Sequence, residues 1–485
     1  MAKTRFNGHS PATANNGVAD AHTASFSTHR PENHDPAAGP YTPTAAADVE
    51  KQPNLTPKAL HAAPHYGGIR GNGSTFHMNL DEYTRLDKRE AKYRKLAQKI
   101  LDRCGIKIAG DRPFDLVVHN PLLYRRVISK GSIGFGEAFM DGWWDTRDFY
   151  ALDEFFKRLL ESDVEYYFPN NAKDMANIVK AKLFNPQTRS KSKKVGLQHY
   201  DLGNEFFRNM LGPRMQYSCA YWERHVGSRE ENTLERIETL DEAQELKLHM
   251  LGEKLKLKPG MEVLDVGCGW GTLAGYLSET YNVKVTGITI SEQQRKSAAE
   301  RNKNNPRVTI LKQDYRDTNF GRKFDRIVSV GMFEHVGPKN YSTFFKHMRR
   351  LLNDTDRDAV FVLHTIGSKT TMESADQWYL KYIFPGGCLP SISNIGKTIE
   401  KYFLMEDLHN FGYYYALTLL AWRENFLARW NNSPESKRQN ADLLFRMFYY
   451  YLSSSAGAFE ARNLQLWQIV LSPHGVPGYA NVYRP

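Results

Sequence analysis

From Asp81 the chain takes on a periodicity that the residues before it lack: Tyr93, Leu96, Ala97, Ile100 and Leu101 recur at helical spacing opposite a charged face. This predicts a helix that opens a folded region. A turn at Ala109-Gly-Asp-Arg-Pro113 leads into the strand-like Phe114-Asp-Leu-Val-Val118, and the stripe Leu152, Phe155, Phe156, Leu159 and Leu160 predicts a further helix. Past residue 260 the period changes. Apolar runs at Val263–Val266, Val283–Ile290, Val308–Leu311, Phe324–Val330 and Ala359–Thr365 alternate with helical stretches. Strands in that βα alternation pair in parallel. Phe403-Leu-Met-Glu-Asp-Leu408 and Leu466-Trp-Gln-Ile-Val-Leu471 supply two more strands. Between Ile366 and Leu404 the alternation lapses, and residues 410–460 are helical and unusually aromatic, as expected of an insertion that forms a lid.

Residues 1–75 are rich in Ala, Pro, Asn, Ser, Thr, Gly and His and have no apolar period, so they cannot bury enough surface to offset their ordering entropy. They are expected to be a disordered extension. Lys3, Arg5 and Arg30 among Ser and Thr resemble a transit peptide in composition, but prolines and glycines oppose the amphipathic helix such a peptide needs. The expected organisation is then a small, mainly helical N-terminal domain over residues 76–179, a linker over 180–194, and a larger domain over 195–485. The linker carries Lys180, Lys182, Arg189, Lys191, Lys193 and Lys194. It reads either as a solvated connection or as an attachment to anionic headgroups, at about 1 kcal/mol per basic residue near the surface.

Lys plus Arg exceed Asp plus Glu by 65 to 54 and the pI is near 9.2, which favours an anionic partner, either nucleic acid or a phosphate-bearing membrane surface. Cys104, Cys219, Cys268 and Cys388 are scattered without Cys-x-x-Cys spacing, so neither a disulfide framework nor a metal site is expected and the cytoplasm is the fitting compartment. No window approaches the roughly 18 uninterrupted apolar residues of a spanning helix.

The chemistry concentrates at Glu262-Val-Leu-Asp-Val-Gly-Cys-Gly-Trp-Gly271, a buried strand ending in glycines at every second position before Thr272 resumes a helix. Missing side chains at Gly267 and Gly269 let a ligand lie against backbone at the C-terminal end of the strand. The spacing is neither the Gly-x-Gly-x-x-Gly of a dinucleotide fold nor a phosphate loop. Asp265 followed by Gly-x-Gly-x-Gly resembles the first motif of S-adenosylmethionine-dependent methyltransferases. Tyr217-Ser-Cys-Ala-Tyr-Trp222, Gly331-Met-Phe-Glu-His-Val-Gly337, Leu363-His-Thr-Ile-Gly-Ser368 and Tyr382-Ile-Phe-Pro-Gly-Gly-Cys-Leu-Pro-Ser391 extend the likeness. With Gly136-Glu-Ala-Phe-Met-Asp-Gly-Trp-Trp144 as well, residues 90 to 475 resemble the two-domain bacterial cyclopropane-fatty-acyl-phospholipid synthases. The shorter mycolic acid cyclopropane synthases are similar to the second part only.

The resemblance implies a seven-stranded, Rossmann-like class I methyltransferase sheet with a helical lid. It further implies that a methylene from S-adenosylmethionine is added to a cis double bond of an unsaturated phospholipid chain, through a carbocation deprotonated by bound bicarbonate. The matching bicarbonate positions are Cys219, Glu334, His364, Ile366 and Tyr415, with the Ile366 N–H and the Tyr415 hydroxyl as donors and His335 as an alternative acid or base. The cofactor positions implied are Tyr217, Ser218, Asp265, Gly267, Gly269, Thr289, Gln294, Asp314 and Tyr315. Aromatic walls that can stabilise a cation without attacking it are expected from Tyr382, Phe384, Phe411, Tyr413, Tyr414 and Tyr415. The paired Trp143 and Trp144 read as a small core under a turn, or as a lipid-facing surface. The family implies homodimers and peripheral membrane attachment in the cytoplasm. A nucleic acid substrate is disfavoured because Gly331-Met-Phe-Glu-His stands where base-flipping enzymes carry Asn-Pro-Pro-Tyr.

Overall fold

A computed structural model describes residues 79–162, 202–226, 233–372, 374–479 and 483–485. The expected extension over 1–75 and the basic linker over 180–194 lie outside these residues.

The large sheet is built from β5 (Glu262–Val266), β6 (Lys284–Thr289), β7 (Val308–Lys312), β8 (Arg326–Val330), β9 (Val360–Ser368), β10 (Leu404–Asn410) and β11 (Leu464–Ser472), in the order β10-β11-β9-β8-β5-β6-β7. β5 pairs in parallel with β6 and β8, β6 with β7, and β8 with β9, while β11 runs antiparallel between β9 and β10. This is a class I methyltransferase sheet. The strands alternate their residues between two apolar layers, as a period of two requires. Leu264, Val266, Phe361 and Leu363 face α8 (Tyr341–Leu351) and α10 (Ile392–Ile399), whereas Val263, Val285, Val360 and Val362 face α5 (Leu240–Lys254) and α6 (Thr272–Tyr281). β9 runs three residues past the expected end at Thr365, because Ile366, Gly367 and Ser368 keep their ladder with Leu466, Gln465 and Leu464. His364 therefore sits inside a strand and not at its end.

A third core joins distant parts of the chain. It combines α1 (Leu80–Leu101), α2 (Leu123–Met140) and α3 (Leu152–Glu161) with α4 (Gly203–Leu211), α11 (Tyr413–Trp430) and α12 (Ala441–Glu460). The strand expected at Phe114–Val118 is the short β1 (Leu116–Val118), paired antiparallel with β2 (Trp144–Thr146). Trp144 is fully buried, stacked on Phe135 at 4.1 Å between ring centroids, so the core alternative holds for it. Trp143 is half-buried with the Arg126 guanidinium over its ring at 4.6 Å. On α11, Arg423 donates to Asp153 of α3 at 2.8 Å, and Arg446 of α12 donates to the Trp144 carbonyl at 3.0 Å. Buried donors of this kind fix the register between helices that apolar contact alone would leave loose.

Candidate active site

The crevice begins where β5 ends. Gly267, Gly269 and Gly271 all have positive φ, at 87°, 54° and 77°. A Cβ on Gly267 would meet Met332 at 2.8 Å, whereas one on Gly269 would point into open space. The turn thus needs glycine for its backbone at both positions, and at Gly267 also for the close approach of the next loop.

Asp265 beneath the turn is buried, and its Oδ2 has no hydrogen-bond partner. Burial pushes its carboxyl up to about 7 against the pull of Lys247. Lys247 on α5 is fully buried; its Nζ donates to Gln216 Oε1 and, at 3.0 Å, to Ser218 Oγ. Desolvation pushes this ammonium down to about 7 while the charges of Cys219 and Asp265 hold it up. Gln244 Nε2, one turn earlier, donates to the Ser218 carbonyl at 2.9 Å. α5 therefore clamps the Gln216–Ser218 loop from behind. Neither clamp residue is legible in the sequence, since polar residues such as Gln244 and Lys247 on a helix are ordinarily solvated and no motif surrounds them.

On the other side of the crevice Thr289, the last residue of β6, donates through Oγ1 to Gln294 Oε1 at 2.9 Å. Asp314 is held by Arg316, whose Nε lies 2.8 Å from Oδ1, and Tyr315 packs edge-on to Phe344. Tyr217 donates to the Tyr451 hydroxyl at 3.0 Å and has its ring among Phe207, Phe384 and Trp422. All nine expected cofactor positions line one cavity of about 950 Å³.

The expected bicarbonate residues divide into two groups. Glu334, Ile366 and Tyr415 line that cavity, whereas Cys219 and His364 are buried outside its wall. The Ile366 N–H, expected to donate to the anion, donates to Glu334 Oε1 at 2.6 Å. Glu334 Oε2 is buried without a partner, and burial raises the carboxyl to about 7. The Tyr415 ring stacks on Phe459 at 4.6 Å, and burial raises its phenol, with the charges of Tyr451, Cys219 and Glu334 adding to the effect. Cys219 Sγ donates to the Ala220 carbonyl at 3.2 Å, and its thiol too is pushed up by burial. His364 Nδ1 meets the Gln468 amide at 3.2 Å, while its Nε2 is buried without a partner. Desolvation, reinforced by Lys247 and Lys254, holds that imidazole well below its ordinary range and so uncharged. His335 also lines the cavity, its charged form disfavoured by burial.

Of the six aromatic residues expected to wall the chamber, Phe384 and Tyr415 do so. Tyr382 instead donates to Glu137 at 3.0 Å, Tyr414 to Glu223 at 2.5 Å, Phe411 packs against Tyr221 and His409, and Tyr413 is half exposed. Further rings of the wall include Tyr379, Tyr450, Tyr451 and Phe459, with Tyr124, Phe135, Phe155 and Phe156 from the N-terminal helices. At the far end lie Leu101, Leu123, Val127 and Leu159. Among the described residues no cluster of His, Cys, Asp or Glu could hold a metal ion, and no helix is long and apolar enough to cross a membrane.

Residues 187–469 match the family model described as mycolic acid cyclopropane synthetase. The chain belongs to the mycolic acid cyclopropane synthetase family. It is 50% identical over 390 residues to the cyclopropane-fatty-acyl-phospholipid synthase of Escherichia coli (strain K12), covering 80% of this chain and 96% of that one. It is 34% identical over 298 residues to a probable fatty acid methyltransferase of Pseudomonas putida, covering 59% of this chain and 71% of that one. The crystal structure of coclaurine N-methyltransferase bound to N-methylheliamine and S-adenosylhomocysteine superposes with a TM-score of 0.53 at 22% identity, covering 66% of this chain and 94% of that one, a likeness of fold. The family member described here is an S-adenosylmethionine-dependent methyltransferase, and the crevice suits that cofactor. An orphaned buried carboxylate oxygen on Asp265, open space at Gly269 and the short polar pair Thr289–Gln294 are the groups a zwitterionic amino acid and a ribose require.

Proposed function

We propose that the protein adds a methylene group across the cis double bond of an unsaturated phospholipid chain, working peripherally at the cytoplasmic face of a membrane, and that bicarbonate held beside Glu334 removes the proton. The observation that carries this is the continuity of one cavity from the glycine turn, past Glu334 and Tyr415, into an aromatic and aliphatic chamber. Bound at the turn, the cofactor supplies a methyl group on a sulfonium sulfur, which keeps the bonding electron pair when the methyl leaves. The alkene is a weak nucleophile, so the work of the chain's own residues is to exclude water and hold the π bond close to that methyl. Rings of Phe384, Tyr415, Tyr451 and Phe459 offer their faces to the positive charge that develops on the acyl chain.

Loss of a proton from the added methyl lets the remaining C–H electron pair close the three-membered ring. For that step the Tyr415 hydroxyl can donate to a small oxyanion at the cavity wall, and Glu334 Oε2 can accept from the O–H of bicarbonate. The Tyr415 hydroxyl makes no hydrogen bond among the described residues. Ile366 keeps Glu334 turned toward that place through its N–H, while Cys219 and His364 support the wall from outside. The test is to incubate the protein with donor carrying a labelled methyl and with unsaturated phospholipid, then analyse the lipid by mass spectrometry. A gain of one CH₂ with loss of the alkene is expected, and bicarbonate-free buffer should slow it. Label in nucleic acid, or in no lipid, overturns the reading.

A further inference from the structure

The cavity meets solvent at the N-terminal helices, as it also does beside the cofactor end at Ile290, which is 42% exposed. Leu96 on α1 and Ile128 on α2 both line it, yet they are 48% and 38% exposed, whereas neighbouring Leu101 and Leu123 are buried. They form an apolar rim. The two helix segments at the rim are themselves basic, although acids from flanking segments pair with part of that charge: Asp87 with Arg94, Glu137 and Asp141 with Arg126, and Glu137 with Lys130. From Ala91 to Leu101 helix α1 carries Lys92, Arg94, Lys95 and Lys99 and no acidic residue, and from Leu123 to Lys130 helix α2 carries Arg125, Arg126 and Lys130 with none.

Lys92 and Lys99 stand one turn before and after Leu96 on the same helical face, and Lys95 adjoins it. Lys95 and Lys99 make no ion pair among the described residues, whereas Arg125 is tied to Glu90 at 2.7 Å and so holds α2 against α1. Just past Ile128, α2 is interrupted at Gly131, with φ 61° and ψ −141°, a conformation that a side chain would forbid. The break turns Ser132 and Phe135 toward the cavity beside the rim.

Resting on the reading of the substrate as a membrane phospholipid, we infer that the α1–α2 rim is the surface that docks on an anionic lipid bilayer and the portal through which an acyl chain enters the cavity. Apolar side chains at the rim replace water by hydrocarbon, and the lysines around them meet the headgroup phosphates. Val127, Phe135 and Phe156 line the same cavity as Tyr415 and Glu334, so an entering chain has apolar surface to lie against.

The four native cysteines are buried, so a single surface cysteine can carry an environment-sensitive dye. Leu96→Cys and Ile128→Cys should each show a blue shift with phosphatidylglycerol vesicles, and none with phosphatidylcholine vesicles. Dye at Leu234→Cys or Ile392→Cys, two other exposed apolar positions, should not respond. Adding Lys92→Glu, Lys95→Glu and Lys99→Glu together should abolish the shift. A shift at positions 234 or 392 as large as at 96 and 128, or no shift at 96 and 128, overturns the proposal. Product formation by the wild-type protein on detergent-dispersed unsaturated phospholipid is measured in parallel. Product without a shift removes only the portal, whereas absence of product removes the reading of the substrate.

Discussion

At the cofactor end of the cavity the wall is backbone and short polar side chains, taken in succession from the ends of β5 and β6 and the loop after β7, while at the acyl end it is rings and aliphatic chains gathered from α1, α2, α3, α11 and α12. The first is rigid because its turns with positive φ favour glycine and the sheet fixes their spacing. The second is rigid only because helices far apart in sequence are tied by buried donors, such as Arg423 to Asp153 and Tyr449 to the Phe149 carbonyl at 2.6 Å. A single substitution can therefore injure one end through geometry and the other through cohesion. Glu334 stands where they meet.

The largest effect is expected at that junction. Glu334→Gln should lower turnover by on the order of 10²–10⁴, the usual worth of a positioned acid or base. Cofactor affinity should stay within about tenfold, because the side chain belongs to neither the turn nor the Thr289–Gln294 pair. Equal losses in turnover and in cofactor binding, read by single-turnover kinetics and calorimetry, would place Glu334 in the cofactor's own site. Cys219→Ser should follow the same pattern more weakly, since the thiol lies outside the wall.

Next comes cohesion at the acyl end. Arg423→Met leaves Asp153 without its 2.8 Å partner in a largely buried setting and should cost about 3–5 kcal/mol of stability in denaturant unfolding. Cofactor affinity of the folded fraction should be unchanged, and a loss of it would show that the two ends are not separable. A smaller effect is expected at the turn. Gly267→Ala meets both the positive φ and Met332, whereas Gly269→Ala meets the φ alone. At about 1–3 kcal/mol for such strain, Gly267→Ala should weaken cofactor binding by roughly tenfold or more, and Gly269→Ala by less. The reverse order would mean that the ligand, not Met332, sets the need for glycine.

The same contrast decides what the sequence makes legible. The cofactor end is written in short continuous motifs, so Asp265, Gly267, Gly269, Thr289 and Gln294 can be named from spacing and resemblance before any coordinates. The strands themselves follow from the βα alternation and the sheet type from the resemblance, but neither the antiparallel place of β11 between β9 and β10 nor the extension of β9 past Thr365 does, since both depend on pairing with Leu464–Leu466, a hundred residues away in the chain. The acyl end has no such code. An aromatic residue on a helix looks alike whether it packs in a core or lines a chamber, which is why Phe411, Tyr413 and Tyr414 are expected in the wall and Tyr379, Tyr450 and Phe459 are found there. Nor does anything in α1 to α3 signal that those helices complete a cavity whose other end lies at residue 267. Lys247 is hidden for another reason, since a lysine on a helix is ordinarily solvated and only burial behind the Gln216–Ser218 loop gives it a role.

Lys247 also supplies the finest discrimination between the two ends. Burial lowers its pKa from 10.5 to about 7, so at mildly alkaline pH the folded chain holds it neutral while the unfolded chain binds its proton. Stability from this group is therefore gained as pH rises above about 7 and lost as pH falls through it. Asp265 and Glu334, both raised to about 7, act in the opposite sense: the stability they add at acid pH is lost as pH rises from the ordinary carboxylate range to about 7. Arg423 is held above its ordinary range by Asp153, opposing its own desolvation, and stays charged throughout, so the ion pair of the acyl end contributes no slope near neutrality. Unfolding free energies of wild type and Lys247→Met, measured between about pH 7 and 9, should diverge, with wild type gaining relative to the variant as pH rises. Parallel curves would mean that Lys247 keeps its proton in the fold, and that the cofactor end is held together by a full charge pair in the manner of the acyl end.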